Sequence, residues 1–153
     1  MKKMKIMLVD DEERFLRTTQ KLLAQKGIET VTATSGSAAL EILKSSNIHV
    51  VILDVKMPGM DGNETLKEIK TQFPLVEVIM LTGHATVESA IDGMKSGAFD
   101  FLIKPAGIDE LIDKATAAFK KWQDTEEKIR LARFHLSMSS PLDILKGSTN
   151  QDE

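Results

Sequence analysis

The chain contains no cysteine. Disulfide scaffolds, thiol chemistry and cysteine-ligated zinc or iron–sulfur centres are therefore excluded, and the composition is compatible with a reducing compartment. Long apolar runs are also missing. Runs such as residues 6–9 and 50–53 fall far short of the ~20 residues that a membrane-spanning helix needs. Met1-Lys2-Lys3-Met4-Lys5 leads into only four apolar residues before Asp10, too short a stretch for a secretory signal. A cytoplasmic protein without membrane contact is expected. Nor is there a basic excess: 20 Lys and Arg against 23 Asp and Glu give a net charge of −3, so nothing advertises a nucleic-acid surface. Neither the Gly-x-Gly-x-x-Gly of dinucleotide-binding domains nor the Gly-x-x-x-x-Gly-Lys-Ser/Thr of nucleotide-binding loops occurs.

What remains is an ordinary globular composition, 42% hydrophobic and 28% charged over 153 residues, enough chain for one core without covalent staples. Short apolar or β-branched runs predict strands at 5–9, 28–33, 48–53, 76–81 and 99–103. Between them, apolar residues at helical spacing predict helices ending before Gly27, over 37–44, over 63–72 and over 86–95, with Gly97 as a C-cap. A long helix starts at Ile108, and the polar residues from Ser137 to Glu153, with Pro141 and Gly147, read as a loose tail. Strands alternating with helices predict a doubly wound α/β fold on a five-stranded parallel sheet. In such sheets the site lies beyond the carboxyl ends of the strands.

Those ends carry chemistry. The first strand runs into Asp10-Asp11-Glu12-Glu13, the third into Asp54, the fourth into Thr82-Gly83 and the fifth into Lys104-Pro105. Clustered carboxylates repel unless a cation sits among them, and an oxygen-only donor set suits Mg²⁺ or Mn²⁺. A hydroxyl and an ammonium facing the same place suit phosphate oxygens. The constellation reads as a metal-assisted phosphoryl-transfer site with one carboxylate as nucleophile. Taken singly, Asp10 or Asp11 reads equally well as an N-cap, Asp54 as a solvated loop residue, Thr82 as a turn cap and Lys104 as a surface lysine. Their joint fall at consecutive strand ends favours a site.

Residues 6–12 (Ile-Met-Leu-Val-Asp-Asp-Glu), 53–62 (Leu-Asp-Val-Lys-Met-Pro-Gly-Met-Asp-Gly), Leu81-Thr82-Gly83 and Lys104-Pro105 resemble the receiver domain of bacterial response regulators. Within that family, Leu81-Thr82-Gly83-His84-Ala85 and Gly97-Ala98-Phe99-Asp100-Phe101 are most similar to the nitrogen-regulation type. The resemblance implies a flavodoxin-like (βα)₅ receiver over residues 1–121 and makes 122–153 a C-terminal helical extension with a polar tail. It implies that Asp54 accepts a phosphoryl group from a sensor histidine kinase or phosphotransfer protein. It implies that Asp10, Asp11, Asp54 and the Lys56 backbone carbonyl hold Mg²⁺, with Asp11 the more direct of the acidic pair. Thr82 and Lys104 match the hydroxyl and the lysine that meet the phosphoryl group. Thr82 and Phe101 match the switch pair, and the bond between Lys104 and Pro105 matches one that is cis in the family. Lys56 and His84 match positions that tune hydrolysis, implying at most slow self-dephosphorylation in a domain that is not an enzyme.

The chain departs from the pattern at Ala106-Gly107, where an aromatic is more usual. It also carries no motif of the ATPase or DNA-binding domains that follow nitrogen-type receivers, so output through an unknown protein effector, without direct DNA binding, is expected. A haloacid-dehalogenase-type phosphatase also uses Asp, Thr, Lys and Mg²⁺, but its Asp-x-Asp is replaced here by Asp10-Asp11-Glu12. Finally, Ile112, Ala115, Phe119, Trp122, Glu126, Ile129, Arg133 and Leu136 follow alternating steps of three and four, a coiled-coil seam with two charged positions. The seam predicts a helix projecting past Lys121 with Trp122, Ile129 and Leu136 unburied, and a possible homodimer through it.

Overall fold

The structure, a computed structural model, describes residues 3–83 and 87–152, with the backbone alone at 87, 89 and 139–152. Five strands alternate with five helices: β1 Lys5–Val9, α1 Glu13–Gln25, β2 Glu29–Ala33, α2 Gly36–Ser45, β3 Val50–Asp54, α3 Gly62–Gln72, β4 Glu77–Thr82, α4 Val87–Lys95, β5 Asp100–Ile103 and α5 Ile108–Asp152. All strand pairs are parallel. Their order is β2-β1-β3-β4-β5, so the strand sequence reverses direction between β1 and β3, where side chains from two strand ends meet beside a crevice.

The apolar runs are strands because both faces of the sheet are covered. Met7, Val9, Val51, Leu53, Val78 and Met80 point to one side, into a core shared with Ala39 and Leu43 of α2 and Leu66 and Ile69 of α3. Ile6, Leu8, Val50, Ile52, Ile79 and Leu81 point to the other, against Leu16 and Leu23 of α1 and Leu111, Ala115 and Ala118 of α5. Two caps set the helix starts: Ser35 Oγ accepts from Ala38 N and Asp61 Oδ1 from Glu64 N. Gly97 closes α4 with φ +105°, as a helix-ending glycine does. Gly93 weakens α4 on propensity alone, yet it sits where a Cβ would press to 3.3 Å from Met80 Cγ.

Two expectations need correction. The residues from Ser137 to Asp152 are not a loose tail: α5 continues to Asp152, and Glu153 lies outside the described residues. Polarity by itself does not stop a helix, Leu142, Leu145 and Lys146 are good helix formers, and Pro141 removes one backbone donor without ending the run. Trp122 is not exposed. It is buried, with its indole edge-on to His49 at 4.3 Å and stacked with Phe119 at 6.0 Å. Among the described residues, the buried positions of α5 are Leu111, Ala115, Ala118 and Trp122, a face shifted from the expected seam, with Ile112 and Phe119 half-buried on its edge. Ile129 and Leu136 are exposed as expected. The chain divides into two compact units, Met1–Trp122 and Gln123–Glu153. In the second, Arg130 and Glu127 pair one turn apart along the helix.

Candidate functional site

The site lies where β1 and β3 end. Asp10 follows the last residue of β1, and its N–H donates to Ala33 O at 3.1 Å, extending the ladder by one residue. Its side chain is wholly buried. One carboxylate oxygen accepts from Glu12 N at 2.9 Å and the other from Lys104 Nζ at 2.6 Å. Asp10 and Asp11 are thus not N-caps; Glu12 occupies that position of α1 and makes no side-chain cap. Asp11 is exposed.

Asp54 is the last residue of β3 and nearly buried. Burial is the main reason its carboxyl is raised from 3.8 to about 6. The Asp10 charge adds to the rise, and Lys104 and the Lys56 N–H partly offset it. The loop after Asp54 is held tightly. Val55 N donates to Leu81 O at 3.0 Å, and Gly62 N to Val55 O at 2.9 Å. A Cβ at Gly62 would lie 2.3 Å from the carbonyl oxygen of Asp54, so only glycine lets α3 start this close to the site. Lys56, two residues past Asp54, lies in this loop and donates its N–H to the Asp54 carboxylate.

Thr82 is the buried last residue of β4, in register with Ile103. Its carbonyl accepts from Lys104 N at 2.8 Å, and this bond sets Lys104 one step beyond β5 and level with the site. The Lys104–Pro105 bond is cis. The Lys104 ammonium lies 2.6 Å from Asp10, 3.5 Å from Glu12 and 4.0 Å from Asp54. Burial alone would lower its proton affinity, but the Asp10 hydrogen bond and the three carboxylate charges outweigh that and raise it. Phe101 is half-buried in β5, in register with Met80 and packed on the α2–α3 side of the core. His84 lies outside the described residues, as does Thr86, the expected first residue of the fourth helix.

The arrangement brings Asp10, Asp11, Asp54 and Lys104 together and sets Thr82 on the neighbouring strand end. One carboxylate oxygen each from Asp10, Asp11 and Asp54 lie within 4.8 Å of one another. Three acids this close, with no thiolate or imidazole among them, are a donor set suited to a hard divalent cation such as Mg²⁺. Three contributors were not singled out from the sequence. Glu12 is a further partner of Lys104. Gly62 allows the close approach of α3. Phe15, one turn after Asp11, lies with its ring 4.8 Å from the Lys104 ammonium. All three needed the tertiary geometry, because each acts on a residue of another element.

Comparison with known proteins gives one family. The response regulator receiver domain matches residues 6–116. The regulatory protein AtoC of Escherichia coli K12 is 39% identical over 107 residues, 70% of this chain and 23% of the relative. The transcriptional regulatory protein ZraR of Klebsiella oxytoca is 35% identical over 139 residues, 89% of this chain and 31% of the relative. The chain therefore spans less than a third of the length of either curated relative. Among solved structures, a response regulator receiver domain protein from Clostridium thermocellum superposes with a TM-score of 0.74 at 38% identity. The match covers 78% of this chain and 97% of that one.

Proposed function

Because the chain belongs to the response regulator receiver domain family of two-component systems, a family of signalling domains rather than classical enzymes, we propose that Asp54 is its phosphoacceptor and that phosphorylation there switches a protein-interaction surface. One observation carries this reading: a nearly buried carboxylate at a central strand end is grouped with two further carboxylates and faced by an ammonium 4.0 Å away.

The donor is the phosphohistidine of a sensor histidine kinase or phosphotransfer protein. An Asp54 oxygen forms the new P–O bond as the donor's P–N bond breaks, and the imidazole leaves with a proton. Asp10, Asp11, Asp54 and the Lys56 carbonyl are the groups that would hold Mg²⁺, which when bound supplies charge neutralisation at the phosphoryl oxygens. Lys104 moves from Asp10 to a phosphoryl oxygen, a charge-assisted hydrogen bond formed only in the phosphorylated state. Thr82 turns its hydroxyl to another oxygen, and Phe101 fills the space released. Ligand contacts made in one state alone shift the population of that state.

On this reading residues 1–121 are the switch and 122–153 the helical extension that a second copy of the chain or a downstream protein reads. The receiver acts in the cytoplasm, and its self-dephosphorylation is slow. Among the described residues no helix is long and apolar enough to cross a membrane. The test is the mass of the intact protein after incubation with acetyl phosphate and Mg²⁺. The expected result is one acid-labile phosphoryl group that Asp54→Asn abolishes. Steady release of inorganic phosphate without an adduct would point instead to a phosphatase.

A further inference from the structure

Lys104 has more attractors than it can serve. Asp10 and Asp54 lie on the phosphoacceptor side at 2.6 and 4.0 Å, while Glu12, an exposed side chain, lies at 3.5 Å. Beside the ammonium is a cavity of about 350 Å³ lined by Glu12, Phe15, Gly83, Lys104, Pro105 and Ala106. Small residues keep it open: a Cβ at Gly83 would meet nothing within 4 Å, and Ala106 stops at its methyl group. A flexible four-carbon stem beside such a space is free to swing towards Glu12 and solvent.

Among the described residues, Phe15 is the one aromatic wall. Its ring centroid is 4.8 Å from Lys104 Nζ, within the range of a cation–π contact. Such a contact strengthens as the cation is desolvated, and the Lys104 side chain is only 20% exposed. An ion pair with an exposed partner such as Glu12 is weakened by solvent and by the entropy of holding two long side chains in place. The ring therefore weighs against the swing towards Glu12. Being uncharged, it does not compete with a phosphoryl group for the ammonium as a fourth carboxylate would.

We propose that Phe15 is a positioning residue, whose ring face holds the Lys104 ammonium between Asp10 and Asp54 and keeps it from swinging through the cavity to Glu12. The proposal rests on the reading of Asp54 as phosphoacceptor. It also assigns a reason for an aromatic on the first turn of α1, where the half-buried Phe15 packs on the α1–α5 side of the core and an aliphatic residue would serve that packing equally well.

The test is the initial rate of acid-labile phosphoryl formation from acetyl phosphate with Mg²⁺, in the full chain. Phe15→Leu and Phe15→Met are expected to be slower by about two- to fivefold, the fold-change that the cation–π range implies, and Phe15→Tyr to stay near wild type. In a Lys104→Ala background, Phe15→Leu is expected to cause no further loss, because its effect passes through the missing ammonium. Leu and Met variants at the wild-type rate would overturn the proposal. So would a Phe15→Leu loss undiminished without Lys104, since that is the mark of plain packing. Should the Leu variant fail to fold, the Met variant carries the same comparison. If wild type takes no phosphoryl group, or Asp54→Asn takes as much, the phosphoacceptor reading fails and this proposal with it. A normal wild type and a dead Asp54→Asn beside an unaffected Phe15→Leu sinks the role of Phe15 alone.

Discussion

At the scale of single residues, the site is a set of groups held in tension. Asp54 keeps its proton up to about pH 6 in the fold, against 3.8 ordinarily. The folded chain thus binds the proton more tightly, and the stability this contributes is fully present below about pH 4 and is lost as pH rises through about 6. Asp54→Asn removes the loss and is expected to be more stable than wild type at pH 7.5 by on the order of 2 kcal/mol, with the gap closing towards pH 4. Urea melts of both proteins across that range measure it. The opposite expectation holds for Gly62. Its alanine variant must place a methyl group against the Asp54 carbonyl oxygen at 2.3 Å and Val55 Cα at 2.6 Å, backbone atoms that cannot step aside. A loss of about 2 kcal/mol or more is expected, read as a lower melting temperature.

At the scale of elements, helix starts and the β4 entrance are where few side chains do most of the holding. Asp61 caps α3 beside the site, and Asp61→Ala is expected to cost about 1 kcal/mol in chemical denaturation. At the other end of the sheet Glu77 is buried at the first residue of β4, with Lys121 of α5 at 3.5 Å and Lys70 of α3 at 4.0 Å. Lys70 also donates to the carbonyls of Pro74 and Val76, each at 2.9 Å. Burial pushes its ammonium down, and Glu77 pulls it back. Glu77→Gln strips this pair of lysines of their countercharge and is expected to lower stability by about 1–3 kcal/mol. Element identity was legible in the sequence because each strand is a continuous apolar run and each helix presents one apolar side. Boundaries slipped where that signal stops. The third strand begins at Val50 rather than Ile48, although His49 is buried, donates its N–H to Lys5 O and accepts at its carbonyl from Glu77 N. The strand-end residues were legible from topology alone. Glu12, Phe15 and Gly62 were not, because their parts come from distances across elements rather than from spacing within one.

At the scale of the whole chain, the α5 face explains why periodicity misled past Lys121. The steps of three and four fitted both a free seam and a packed face, and the same pattern held Trp122. The packed face won at that residue because His49 and Phe119 offered it an aromatic bed. A chain ending at Trp122 is therefore expected to melt within a few degrees of full length. One ending at Lys121 should lose on the order of 3 kcal/mol with the indole, and calorimetry of the two separates them. Light scattering of the full chain against the chain ending at Trp122, with and without a phosphate mimic, reports whether the extension pairs copies. The buried indole has a use apart from stability. Trp122 is the only tryptophan in the chain, which has no tyrosine. It rests where the packed stretch of α5 ends, at the end of the sheet opposite the phosphoacceptor, against an imidazole and a phenyl ring. Excited near 295 nm, the protein emits from one place alone. A shift or quenching of that emission on phosphorylation would be an optical record, without any label, that the change at Asp54 had crossed the domain to its exit.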